Sequence, residues 1–235
     1  MTAILKREIF TYFTSPLGYV YIALCFFVAS SSFMVSVSSG SADLTGVFLV
    51  LVIVQFVFTP FLTMRLLSEE QKQKTDQLLL TSPVSLTGLV IAKFLAAFIV
   101  FLISISISLI YAVALELIPN VSVAWSTVTG NFLGLSLIGG LFIATGLFVS
   151  ALTESQMIAA VISFFVNFFL FMISNFAGYA PWGWLKTFMQ KISVYERFSD
   201  ISFGIIHIST LLYFASIIFV FLFLTIQRLS ARRYS

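Results

Sequence analysis

The sequence predicts an all-α integral membrane fold with six transmembrane helices, and three observations carry that expectation. Hydrophobic residues make up 60% of the chain and charged residues 9%, against about 45–50% and roughly 25% in an ordinary soluble domain. A soluble fold of this size must cover its surface largely with polar groups, a requirement that a bilayer removes. The apolar residues fall into six runs close to or above the roughly 20 residues that a helix needs to cross the hydrocarbon. The basic residues sit at the ends of those runs rather than in a stripe, which argues against nucleic acid as a partner and for membrane lipid.

Residues 1–15, MTAILKREIFTYFTS, precede the first run. Ile4, Leu5, Ile9, Phe10 and Phe13 can share one helical face, with Lys6, Arg7 and Glu8 opposite. That is the pattern of an interfacial helix lying on the membrane. Ser15 followed by Pro16 is an N-cap with proline at the first helical position, and it opens a first span of about 17–37. No A-x-A-type cleavage site follows, so the run reads as a retained helix rather than a signal peptide. A short polar turn containing Asp43 leads to the second span, about 46–66, which contains Pro60.

The charged stretch RLLSEEQKQKTD, residues 65–76, comes next and leads into QLLLTSPVS. Ser82 and Pro83 repeat the cap-and-proline signal. The third span runs from about 86 to 117, long enough to project beyond the hydrocarbon, and Pro119 and Asn120 end it. The fourth covers about 130–152, with Thr153-Glu154-Ser155 as a tight turn, and the fifth about 156–175. Residues 176–204 are aromatic, mixed in charge and too interrupted to span. They read as an aromatic belt at the outer interface. The sixth span covers about 205–226, and the whole chain reads as one membrane domain.

Six spans put both termini on one side. Lys6, Arg7, Arg65, Lys72, Lys74, Lys93, Arg228, Arg232 and Arg233 lie on that side, and Lys186, Lys191 and Arg197 on the other. Nine against three makes the termini and the 67–85 segment cytoplasmic by the positive-inside rule. No catalytic, metal or cofactor site is expected in this chain. It has no GxxxxGK[ST] phosphate loop. His207 has no Cys or His companions at ligand spacing, and Cys25 reads as a small buried hydrophobe. The spans contain almost no ionisable groups of the kind that mark proton or ion paths.

Two patterns remain open to more than one reading. The 65–85 segment is a solvated connector or a helix, in which Glu70 and Lys74 form an i,i+4 pair in the better order. Small residues Ser104, Ser108 and Ala112, and Ser136, Gly140 and Ala144, form stripes that read first as helix packing.

Residues 65–97, RLLSEEQKQKTDQLLLTSPVSLTGLVIAKFLAA, resemble the signature of type-2 ABC exporter permeases. Arg65, Leu66, Glu69, Glu70, Thr75, Asp76, Leu79, Leu80, Ser82, Pro83, Lys93 and Phe94 fill the pattern. Lys74 and Ala92 stand where the family often has glycine, and both are expected to favour helix there. The opening KREIFTYFTSPLGYVYIAL and the stretch ISVYERFSDISFGIIH resemble the corresponding family segments. The compact length and the TSPLGYV opening are most similar to the permeases of gliding-motility ABC transporters.

The resemblance implies a permease of the bacterial inner membrane, coupling ATP binding and hydrolysis elsewhere to export. ATP and magnesium would belong to a separate ATP-binding subunit, present in two copies. The 67–82 segment would be a cytoplasmic coupling helix seated in a cleft of that subunit, with Glu69, Glu70, Thr75, Asp76, Gln77 and Leu79 in the contact. The N-terminal helix, with Lys6, Arg7 and Phe10, would brace the same subunit, and residues 176–204 would form short extracellular re-entrant or interfacial helices before the sixth span. A second permease, identical or paralogous, would complete a transport route along the second and fifth spans, for which Gln55, Thr59 and Asn167 are the polar candidates. A motility-type assembly would add a membrane protein with a large periplasmic domain. The alternative is an anchor or scaffold in an ATP-driven envelope machine through which no cargo passes.

Overall fold

The computed structural model describes residues 2–38, 44–74, 85–117, 123–177, 183–202, 204 and 207–234. The described residues form helices α1 (Thr2–Thr14), α2 (Pro16–Ser38), α3 (Thr45–Thr63), α4 (Ser68–Lys72), α5 (Leu86–Ile105), α6 (Ile107–Glu116), α7 (Trp125–Leu152), α8 (Gln156–Ala177), α9 (Gly183–Ile192), α10 (Val194–Ser202) and α11 (Ile208–Tyr234). Among the described residues, six helical stretches are long and apolar enough to span a bilayer: α2, α3 with its continuation into α4, α5 with α6, α7, α8 and α11. The chain is therefore a multi-pass all-α membrane protein, as its composition predicts.

The fourth span is the centre of the bundle. Its most apolar window is 72% buried and that of the second span 61%, whereas the first and sixth reach only 17%. Glycine makes the central position possible. A Cβ on Gly139 would lie 2.0 Å from the Phe101 ring, and one on Gly146 would lie 2.1 Å from Thr63 Oγ1. Both glycines let α7 approach α5 and α3 closely, the usual role of small residues between membrane helices. Helices α3, α5, α8, α10 and α11 all pack on α7, while the outer faces of α2, α8 and α11 expose Phe27, Phe165 and Phe219 and suit lipid.

Several boundaries differ from the sequence reading. Helix α3 ends at Thr63, with Pro60 inside it, and the second span runs on through the turn at 64–67 into α4. The third span is broken at Ser106. Ser104, Ser106 and Ser108 each donate a hydroxyl hydrogen bond to the carbonyl three residues earlier. Three successive side chains thus compete for the backbone acceptors, a known cause of bending. The sixth helix continues past 226 to Tyr234.

At one end of the bundle, residues 183–202 form α9 and α10, which lie against α8 and α7. Phe198 and Ile201 are buried, and Asn131 Nδ2 donates to the Ser202 carbonyl at 3.1 Å. Trp125 Nε1 donates to Glu116 at 2.9 Å across the connection from α6 to α7. The opposite end gathers α1, α4, the start of α5 and the ends of α3 and α7.

Candidate functional site at the junction of α1, α4 and α5

Helix α4 has only five residues, too few to hold together alone, so its position comes from its surroundings. Ser150, near the end of α7, supplies most of them. Its Oγ accepts the Leu67 and Ser68 backbone N–H groups, each at 3.0 Å, and donates to the Met64 carbonyl at 3.3 Å. One hydroxyl thereby fills its donor and both acceptor positions. Gln71 Nε2 donates to the Ala151 carbonyl at 3.1 Å, and Leu66 and Leu67 are buried below. The element after the second span is thus fixed to the fourth.

Lys93 ties the same element to two further helices. It is the eighth residue of α5 and is only 2% exposed. Its Nζ meets Glu70 Oε1 of α4 at 2.7 Å and Glu8 Oε1 of α1 at 3.0 Å. A buried ammonium is tolerated only when paired and hydrogen-bonded in this way. Burial raises the Glu70 carboxyl above its ordinary pKa, Lys93 pulls it back, the charge of Glu8 raises it again, and Arg7 opposes.

Arg65 completes the ionic set, with Nε donating to Glu69 Oε2 at 2.7 Å and Nη2 to Oε1 at 3.1 Å, the two-bond fork that suits guanidinium and carboxylate. Tyr12 of α1 donates to the Leu62 carbonyl at the end of α3 at 2.9 Å. Burial keeps that phenol protonated, so it remains a donor. Arg7, Glu8, Arg65, Glu69, Glu70 and Lys93 lie together around a cavity of about 280 Å³.

The structure redistributes the residues singled out from sequence. Glu70 turns inward to Lys93, and the pairing with Lys74 expected from their spacing is replaced, because Lys74 is not helical. Its φ of 56° lies in the left-handed region, where glycine is the easy occupant. The expectation that lysine favours helix at this position fails for that reason: the backbone there needs what glycine provides. Glu69 remains nearer the surface on Arg65. Thr75, Asp76, Gln77 and Leu79 lie outside the described residues, as do Ser82 and Pro83. The third span is capped at Ser85, whose Oγ accepts the Gly88 N–H at 3.3 Å.

On α1, Lys6, Arg7 and Phe10 are exposed. Phe10, at 70% exposure, does not share the inward face. That face is Leu5, Glu8, Ile9 and Tyr12, so a glutamate stands where an apolar stripe was expected.

Gln55, Thr59 and Asn167 are each fully enclosed within the protomer. Gln55 Oε1 accepts from Tyr21 at 2.5 Å and from Thr59 at 3.0 Å, and Asn167 accepts from Thr145. The face that α3 turns outward is apolar instead: Leu49, Ile53, Val57 and Phe61.

The sequence reading missed Glu8, Lys93, Ser150 and Gln71 as a unit. One signal was present, since Lys93 is the sole charged residue between 86 and 115, and an isolated charge in an apolar run needs a partner. Ser150 carried no such signal, because hydroxyl residues are common in membrane helices.

No curated protein matches the chain. The model of the ABC-2 family transporter proteins matches residues 5–173, a stretch that runs from α1 into α8 and contains every residue of the junction. Because that match covers well over half of the sequence, the chain belongs to the ABC-2 family transporter proteins, as a membrane permease subunit that is not itself catalytic.

Proposed function

We propose that the chain is the permease of an ATP-driven exporter and that α4 receives the motion of a separate ATP-binding subunit. One observation carries this reading: α4 is held at once by α1 and α5 through Lys93 and by α7 through Ser150 and Gln71. A short helix fixed on three sides transmits a push to several spans together, whereas a loose connector would absorb it. The excess of basic residues at this end supports a cytoplasmic orientation for α4 and both termini in the bacterial inner membrane. Glu69 and the 75–79 segment are the contacts proposed for the ATP-binding subunit, which brings the ATP and magnesium. Two such subunits would serve two permeases. The similarity of the TSPLGYV opening supports the gliding-motility subgroup.

The test is the Ser150→Ala permease reconstituted with its ATP-binding subunit in vesicles. The complex should still assemble, since Ser150 is internal, while permease-stimulated ATP turnover falls several-fold. Full stimulation in that variant would refute transmission through α4. If turnover is coupled but vesicle contents never change for any candidate cargo, the scaffold role replaces export.

A further inference from the structure

The polar cavity at the junction does not stand alone. A second groove, of about 430 Å³, runs along the first turns of α2 and the last turns of α3, between Pro16, Val20 and Leu24 on one side and Phe58 and Phe61 on the other. The two share Leu17 and Arg65. The walls of the groove are apolar: even Tyr21 presents only its ring, because its hydroxyl is turned to Gln55. An ion-lined chamber and an apolar groove thus adjoin at Leu17 and Arg65. That is the outline of an amphiphile with a charged head and a hydrocarbon tail.

We infer that the joined cavities form a binding site for one phospholipid with a zwitterionic, primary-ammonium headgroup, of the phosphatidylethanolamine class. The charge balance selects the headgroup. Arg7, Arg65 and Lys93 face Glu8, Glu69 and Glu70 around the chamber, three of each sign, so an anionic lipid finds no net positive field. Lys93 is committed to two carboxylates. The fork from Arg65 to Glu69 uses two of the five N–H donors of the guanidinium, leaving others to meet a phosphate. The Glu69 carboxylate and the Thr11 hydroxyl can accept from an ammonium, but a trimethylated choline has no N–H to give. One acyl chain lies in the groove, where each buried methylene adds to affinity. The site joins α1, α2 and α3, so its occupant would stiffen the packing of α1 on the bundle. The inference rests on the membrane embedding of α2 and α3 and not on coupling to an ATPase.

The experiment is native mass spectrometry of the full chain, delipidated in detergent and titrated with phosphatidylethanolamine, phosphatidylcholine and phosphatidylglycerol of matched chains. One phosphatidylethanolamine per chain should be retained, favoured about tenfold over phosphatidylcholine, the worth of one charge-assisted hydrogen bond. Glu69→Ala should remove most of that preference, while Arg65→Ala, which loses the phosphate contact, should weaken all three lipids. Val20→Trp, at a lipid-facing position that tolerates bulk, should fill the groove and weaken all three lipids, while Phe219→Trp on α11 should weaken none. Equal retention of the three headgroups, preference for phosphatidylglycerol, or binding untouched by Val20→Trp would overturn the assignment. So would a change in dimer content with Val20→Trp at constant lipid occupancy, since the groove would then belong to a second copy.

Discussion

Replacing Lys93 with methionine keeps the length of the side chain and removes its charge. Glu8 and Glu70 then face each other in a site where their side chains are 13% and 17% exposed, with no ammonium between them. Breaking a buried ion pair from one side costs about 3–5 kcal/mol. Protonation sets an independent estimate. Holding a carboxyl of ordinary pKa 4.5 neutral at pH 7 costs about 3 kcal/mol, at 1.36 kcal/mol per pH unit. The two agree, and at about 2–4 °C per kcal/mol for a chain of this size the variant should melt roughly 6–12 °C below the parent. The assay is thermal unfolding in detergent, followed by tryptophan fluorescence at pH 7.5 and pH 5.5.

A carboxyl whose pKa is raised in the folded chain keeps its proton to higher pH than in the unfolded chain. Stability is therefore lost as pH climbs from the unfolded value through the folded one, and removing Lys93 extends that window upward. The deficit of Lys93→Met should accordingly shrink at pH 5.5, and Glu70→Gln combined with Lys93→Met should recover most of it at pH 7.5. A variant that melts with the parent at pH 7.5, or whose deficit grows on acidification, would refute the ion-pair account.

Three further outcomes are expected. Ser150→Ala leaves the Leu67 and Ser68 N–H groups without their acceptor and should cost about 2–4 kcal/mol, seen as faster amide exchange at residues 67–69 in detergent. Lys74→Gly should stabilise by up to about 1 kcal/mol, the left-handed penalty of a non-glycine residue less the added chain entropy; Lys74→Pro, which cannot adopt that φ, should destabilise, and both are read from melting temperature. Gly139→Leu should abolish the folded monodisperse peak on size exclusion, because even a Cβ there collides with the Phe101 ring, and Gly139→Ala with Phe101→Leu should recover it in part.

The spans were legible because each is a long apolar run, and hydropathy survives any detail of packing. Their ends were less legible. Helix α3 gives way to a turn at 64–67 before α4, and the third span breaks at Ser106 through hydroxyl bonds that no apolar average registers. The site was half legible. Glu69 and Glu70 were singled out together in the 65–85 segment, and the structure turns Glu70 inward to Lys93 while Glu69 stays nearer the surface on Arg65. Glu70 pairs with Lys93, 23 residues downstream, and Lys93 pairs in turn with Glu8, 85 residues upstream of it, so only the packing of α1 on α5 unites the three. On α1 the three charges Lys6, Arg7 and Glu8 were read as one outward group, whereas the helical repeat places Glu8 with Leu5, Ile9 and Tyr12.

The fourth span has one consequence for how distant parts of the molecule stay in step. It is a single 28-residue helix, about 42 Å from end to end at 1.5 Å per residue. Ser150 and Ala151 grip α4 near its finish, and Asn131 grips the Ser202 carbonyl of α10 near its start. With no proline along its length and neighbours on nearly every side, it joins the α4 face and the α10 face through one unbroken helix, so the two ends share a single backbone rather than a chain of separate contacts.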